Sequence, residues 1–475
     1  MEKKNRTGRV MTAEEIASAC GGRLFSGDKN SRIRRIVLDS RKAGEGDLFV
    51  PVIGEKVDAH RFLKQVADRG AAAVFTSEHS EEDFPGDPGQ STAWIQVDDT
   101  RLALQRLGAF CRRESSIPVI GVTGSVGKTT TREMIAAALN AGFQVYKTPG
   151  NSNSQVGVPI TMWEIAPEDE IAVIELGMSE PGELTRIAEV ARPTMAVITN
   201  IGIAHMEQLG SQENILREKL TIQDGLEPGG VLLLNGDDPL LKHTRAREGY
   251  RTVYYGTGEN CQYQAKEVRM ENGKAVFTAV HGGRQVPVRL QVPGFHNVLN
   301  AMAALAAAEE SGLPMEQAVR TLEKFHGFKH RQQIFEKNGI VVVDDTYNAS
   351  PVSMKAGLDI LADVSAGRRR IAVLADMKEL GDESRRFHYE VGTYLKERPV
   401  EILFTLGELA EEIARGAEES GGAGCTEQYE DKEQLAKRLH QVLRPGDCVL
   451  FKGSNSMGLS ELAEQFYDPE PDTLQ

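Results

Sequence analysis

The chain is poor in cysteine, in basic charge and in long apolar runs, and each shortage removes a class of protein. Its five cysteines, Cys20, Cys111, Cys261, Cys425 and Cys448, are scattered without a C-x-x-C pair, so neither a disulfide framework nor a cysteine zinc site is expected. Lysine and arginine number 55 against 69 aspartates and glutamates, a net charge of −14. A nucleic-acid partner, which ordinarily calls for a basic excess, is therefore not expected. No apolar stretch reaches the roughly 20 residues of a membrane-spanning helix. The opening MEKKNRTGRVMTAEEIASACGG carries basic residues without the apolar core of a secretory signal. The expectation is a reduced, cytoplasmic protein with no membrane span. Neither a coiled-coil pattern nor a long apolar surface stripe is visible, which favours a monomer. A polar acidic tail after Tyr467 is expected to fray.

What is present centres on IPVIGVTGSVGKTTTREMIAAALN, residues 117–140. It reads as a buried strand over 118–122, a glycine turn over 123–127 and a helix opening at Lys128 with Met134, Ile135 and Leu139 on one side. That is a phosphate-binding loop. Gly124 and Gly127 let the backbone curl so that the amides of Ser125, Val126, Lys128, Thr129 and Thr130 surround one concavity at a helix N-terminus. Lys128 reaches the outer phosphates, and the Thr129 hydroxyl suits Mg²⁺. The common form G-x-x-x-x-G-K-[ST] has glycine where this chain has Val122, so the loop is the tighter T-G-x-x-G-K-T-T.

Around this loop the 475 residues, 40% hydrophobic, divide into three α/β regions. Residues 1–115 form a small unit. Its helix around 12–20 is capped by Thr12 and stopped by Gly21-Gly22, and Asp39-Ser40-Arg41 at a strand end is either an anion site or a solvated turn. Residues 116–328 form the nucleotide-binding unit, a parallel sheet with antiparallel hairpins over 256–292. Here VYKTPGNSNSQVGVP is a polar binding loop, EIAVIE ends a strand at Glu175, and MAVITNIGIAH brings His205 toward the same sheet edge. Glu175 suits Mg²⁺, whereas His205 by itself is a loop histidine and Lys219, on the helix ENILREKLTI, a surface lysine. His296, Asn297 and Asn300 open a helix, where they either cap it or meet a base edge. Residues 329–475 alternate as a doubly wound, Rossmann-like unit with Asp344, Asp345, Tyr347 and Asn348 just past one strand, and Asp376 and Lys452 just past others.

The phosphate loop, Glu175, NIGIAH, H-N-x-x-N and the run from Arg331 to DDTYNASP, in this order, resemble the Mur ligases, ATP-dependent amide-forming enzymes of peptidoglycan precursor synthesis. DSRKAGEGDLFVPVIGEKVDAHRF resembles that family's N-terminal uridine-nucleotide region. DDTYNASPVSM, ADMKELGDES and FKGSNSMG point to the member that joins D-alanyl-D-alanine to UDP-N-acetylmuramoyl-tripeptide. The resemblance implies ATP, a pair of Mg²⁺ ions, and small-molecule substrates. By the same resemblance Lys128 binds the β/γ-phosphates, Thr129 and Glu175 one metal, and His205 and a carbamylated Lys219 another. Asn297 and Asn300 fall near adenine, Arg331 near the γ-phosphate and Asp345 near ribose. Ser40 and Arg41 fall at the uridine nucleotide, Asn151 and Asn153 along the sugar-peptide path, and Tyr347, Asn348 and Ser350 at the peptide and the incoming dipeptide. A sibling that adds a single amino acid would place an arginine in the loop after the third region's first strand, and DDTYNASPVSMK has none. A non-catalytic nucleotide-binding regulator is the remaining alternative. Its expected signature, loss of Lys128, Glu175 or Lys219, is missing.

Overall fold

Three alternations of strand and helix build three α/β layers in the computed structural model, which describes residues 8–54, 57–83, 91–203, 206–271 and 273–466. Among the described residues the strands form sheets of two, five, nine and six strands. The first helix, Ala13–Cys20, starts at a capping box in which Thr12 and Glu15 satisfy each other's backbone amides, and it ends at Gly21 with φ +73°. The helix Thr100–Arg113 then lays this region on the next one. Its Gly108 meets Pro159 so closely that an added Cβ would lie 2.5 Å from the proline Cα. Arg112 donates to the carbonyls of Ala191 and Arg192 at 2.8 and 3.0 Å. The apolar core runs from Ile16 and Leu104 through to Ile174 and Leu184 without a break, so the first two regions share one interior.

The nine-stranded sheet is parallel from its edge strand Val145–Lys147 through Ile171–Glu175, Val119–Thr123, Met195–Ile198, Val231–Asn235 and Arg251–Gly256 to Tyr263–Glu271. It finishes antiparallel with Lys274–His281 and Arg284–Pro293. Buried parallel strands read as continuous apolar runs because both faces are covered, and VLLLN is an example. Glu175 pairs with Val122 and Ile198 with Thr123, so these strands end together at one edge. The helices Lys128–Leu139 and His296–Glu310 cover one face, with Met134, Ile135, Leu139 and Leu305 wholly buried.

The third sheet runs Gln333–Lys337, Ile340–Asp345, Asp447–Lys452, Arg369–Ala375, Val400–Leu406, Ala423–Tyr429, parallel except for its first strand. Two departures from the sequence reading stand out. Val145–Lys147 is an edge strand, although the polar run that follows it had placed it in a loop, and a helix begins by Gly157. In the third region the helix Ser384–Tyr394, the strand Ala423–Tyr429 and the helix Lys432–Val442 add to the alternation without a clear pattern in the sequence.

Candidate active site

The phosphate loop follows the strand Val119–Thr123 and precedes the helix Lys128–Leu139, with φ +149° at Gly124 and +81° at Gly127. Loop shape is imposed from the neighbouring strand end. Asn200 takes the amides of Ser125 and Val126 on its carbonyl and side-chain oxygens at 3.1 and 3.0 Å. The Thr199 hydroxyl and the Asn200 amide donate to the Val126 carbonyl at 2.7 and 2.9 Å. The first-turn amides of the helix have no acceptor within it, which leaves them for an anion. Lys128 folds back, donating to the Gly124 carbonyl at 2.7 Å. Burial pushes its ammonium down from the usual lysine range, and the Glu175 carboxylate partly offsets this.

Beneath the loop, Asn300 accepts from the Thr131 hydroxyl at 3.0 Å and donates to Asn297 at 2.9 Å, and Asn297 donates to the Pro293 carbonyl at 2.6 Å. Both asparagines therefore brace the loop helix from the adjoining helix. Asn300 also faces the cavity; Asn297 does not line it. Glu175 is 2% exposed, with one oxygen accepting from Asn153 at 2.8 Å and the other from Arg132 at 3.1 Å.

From the opposite side comes the third region. The strand Ile340–Asp345 ends at a buried carboxylate, which the wholly buried Lys452 meets at 2.6 Å while also donating to the Asn348 carbonyl at 3.0 Å. Ser350 caps the helix Pro351–Val364. Arg331 stacks over the Tyr347 ring with its guanidinium carbon 3.8 Å from the centroid, and its Nε is buried with no partner among the described residues. Lys378, Glu379 and Leu380 form a second cavity wall. Here His388 accepts from the Met377 amide at 2.9 Å, Ser454 accepts from the Lys378 amide at 2.9 Å, and Glu379 sits at φ +66°. Lys378 itself pairs with Asp376 at 2.8 Å.

These walls enclose about 700 Å³ between the second and third regions. Ser125 through Thr130, Asn151, Asn153, Glu175, Asn300, Arg331 and Asp345 face it, as do Tyr347, Asn348 and Ser350. A cavity with a phosphate loop on one wall and a polar loop on the other can hold a nucleotide against a second, anionic substrate.

Sequence models of the Mur ligase middle domain, of the Mur ligase glutamate ligase domain and of the Mur ligase family catalytic domain match residues 122–308, 330–455 and 32–112. A UDP-N-acetylmuramoyl-tripeptide–D-alanyl-D-alanine ligase of Bacillus subtilis is 37% identical over 459 residues, covering 96% of this chain and 98% of that one. The chain belongs to the Mur ligase family. Among solved Mur ligases, MurF from Acinetobacter baumannii superposes with a TM-score of 0.86 at 32% identity, covering 96% of this chain and 99% of that one. MurF ligase from Thermotoga maritima in complex with ADP gives 0.79 at 29% identity over 91% and 96%.

Not every residue that the Mur ligase resemblance singled out lies in the cavity. His205 falls outside the described residues. Ser40 and Arg41 line no part of the cavity; they open a short 3-10 turn in the first region, where Asp39 holds the largely exposed Arg41 at 2.8 Å. Lys219 is no surface lysine. It is 1% exposed on the helix Gln212–Leu220, and burial together with the charge of Lys128 drives its ammonium far below the usual range. Lys219 does not line the cavity, whereas the Thr129 hydroxyl and the Glu175 carboxylate both face it and are oxygen donors of the kind that a hard divalent cation takes.

Residue-by-residue reading missed the brace by Thr199 and Asn200, and the wall built by Lys378, Glu379 and Ser454. The signal available for that wall was the pair of runs ADMKELGDES and FKGSNSMG that carry the resemblance, whereas the positive φ of Glu379 shows only in the coordinates.

Proposed function

We infer that this chain is an ATP-dependent ligase that joins D-alanyl-D-alanine to UDP-N-acetylmuramoyl-tripeptide in peptidoglycan precursor synthesis. The observation that carries this reading is the single cavity faced by both the phosphate loop and the DDTYNAS loop. It is supported by the full-length similarity to ligases of that name. In this reading residues 1–115 bind the UDP-sugar, 116–328 bind ATP, and 329–475 bring the dipeptide. The protein works as a cytoplasmic monomer without a nucleic-acid partner. No helix among the described residues is long and apolar enough to cross a membrane.

A carboxylate and an amine at neutral pH form a salt, so the carboxylate must be activated. One oxygen of the tripeptide's terminal carboxylate attacks the γ-phosphorus, the bond to the ADP oxygen breaks, and an acyl phosphate results. The dipeptide amine then attacks the acyl carbon; it loses a proton, the carbon–oxygen bond breaks, and phosphate departs. Lys128 and the loop amides hold the transferring phosphoryl group, and Arg331 spreads its charge. Asn300 and Asn297 keep the loop helix beside the adenine, and Asp345, fixed by Lys452, receives the ribose. Asn151 and Asn153 line the path of the sugar-peptide. Tyr347, Asn348 and Ser350 orient the peptide and the acceptor, and Ser40 and Arg41 bind the uridine nucleotide. Thr129 and Glu175 would hold one Mg²⁺, and His205 and a carbamate on Lys219 another, which would supply positive charge where anion approaches anion. Apposition of the second and third regions keeps water from the acyl phosphate.

Phosphate release from ATP tests the reading. Release should require both UDP-N-acetylmuramoyl-tripeptide and D-Ala-D-Ala and should vanish in Lys128→Ala. Equal release with single amino acids would assign a sibling activity, and no release with any acceptor would point to a regulator.

A further inference from the structure

The helix that opens with Lys128 carries Arg132 one turn further on, and this residue is only 3% exposed. Four residues along a helix place two side chains on one face, so Arg132 lies directly behind the phosphate lysine. Its Nη1 donates to the Gly150 carbonyl at 2.8 Å and to the Glu175 carboxylate at 3.1 Å. Its Nη2 donates to Glu133 at 2.6 Å, and Glu133 is held in turn by Lys147. Glu175 is fixed on its other oxygen by Asn153 and through its backbone amide by the Thr148 hydroxyl at 2.9 Å. Gly150 and Asn153 belong to the same loop. One guanidinium therefore ties together the carboxylate proposed as a metal ligand and the loop proposed to line the sugar-peptide path.

We propose that Arg132 is a positioning residue that locks Glu175 and the 148–153 loop into one unit, so that metal binding and sugar-peptide binding are organised together. This rests on the ligase reading. The planar fork suits the task because it spans several acceptors at fixed angles, which an ammonium cannot do. The anchor on the far side is Glu133. Glu133 and Lys147 line a separate cavity of about 740 Å³ and take no part in the nucleotide cavity. A change at Glu133 thus reaches Glu175 through Arg132, or through Lys147 and its neighbour Thr148, without touching the nucleotide cavity.

The test uses the full-length protein and two readouts. The first is binding of Mn²⁺ in the presence of ADP, followed by electron paramagnetic resonance, which needs no turnover and so stands even where the acceptor assignment fails. The second is the KM for each substrate. Arg132→Met should weaken Mn²⁺ binding about tenfold, the usual scale for loss of a group that orients a metal ligand. It should raise the KM for UDP-N-acetylmuramoyl-tripeptide and leave that for D-Ala-D-Ala unchanged. Arg132→Lys should lie between the variant and the wild type, and Glu133→Gln should show a smaller loss in the same direction. A mere counter-ion would behave oppositely, since removing a positive charge from Glu175 favours a divalent cation. Equal or tighter Mn²⁺ binding in Arg132→Met overturns the proposal, and so does a KM for D-Ala-D-Ala that rises in step. Should Arg132→Met not fold, Glu133→Gln decides, with unchanged Mn²⁺ affinity as the overturning result.

Discussion

Replacing Lys452 by methionine removes one charge from a pair that has almost no water around it. Lys452 is 1% exposed and Asp345 6%, and their 2.6 Å contact is supplemented by the 3.0 Å bond to the Asn348 carbonyl. Methionine nearly matches the lysine stem in length, so packing changes little and the loss is electrostatic. Asp345 is left charged without its partner, and the Asn348 carbonyl loses a donor. Breaking a buried pair in this way costs about 3–5 kcal/mol, far more than the ~1 kcal/mol or less of an exposed pair. For a domain of roughly 150 residues about 2–4 °C follows each kcal/mol, so the third region's unfolding should fall by roughly 6–20 °C. Differential scanning calorimetry of the full chain measures it. The double variant Lys452→Met with Asp345→Asn should recover most of the loss, because a neutral amide needs no counter-ion. A fall of only a degree or two, with no recovery in the double variant, would refute the reasoning.

Other consequences are as specific. Gly124→Ala should abolish nucleotide binding, measured with ADP by calorimetry, because its Cβ would lie 1.8 Å from the Thr199 hydroxyl that braces the loop. Burial drives the Lys219 ammonium well below the usual lysine range, which favours reaction with CO₂; ¹³C-bicarbonate should give a carbamate signal by NMR that Lys219→Ala lacks. His388 is buried, with its Nδ1–H donating to the Ser384 carbonyl and its Nε2 accepting from Met377, and burial lowers its pKa below the unfolded value near 6.5. The unfolded chain therefore takes up the proton first as pH falls. Stability from His388 is complete above about pH 6.5 and is lost as pH drops through the lower folded value. Urea denaturation between pH 7.5 and 5 should show this slope, and His388→Gln should flatten it.

Local signals were legible wherever a few adjacent residues determine the backbone. Thr12 with Gly21-Gly22, the glycines of the phosphate loop, and the hairpin pattern over 256–292 each specify an element that the structure contains. The carboxyl-edge placement of Glu175 followed from strand polarity alone. What stayed hidden depends on partners distant in sequence. Lys219 looks like any helical lysine until the sheet and Lys128 surround it. The strand Val145–Lys147 is three residues long and lies at an edge, too short to show a pattern. The support of Ser125 and Val126 by Asn200, some 74 residues away from Val126, has no sequence signature at all.

The central claim is that this chain activates a peptide carboxylate as an acyl phosphate and passes it to D-Ala-D-Ala. The most direct measurement supplies UDP-N-acetylmuramoyl-tripeptide labelled with ¹⁸O in its terminal carboxylate and follows the released phosphate by mass spectrometry. Each turnover should move a single ¹⁸O into phosphate, in step with formation of the dipeptide-extended product. Unlabelled phosphate would mean that water attacks ATP instead, and labelled phosphate formed equally well with single amino acids would contradict the assigned acceptor.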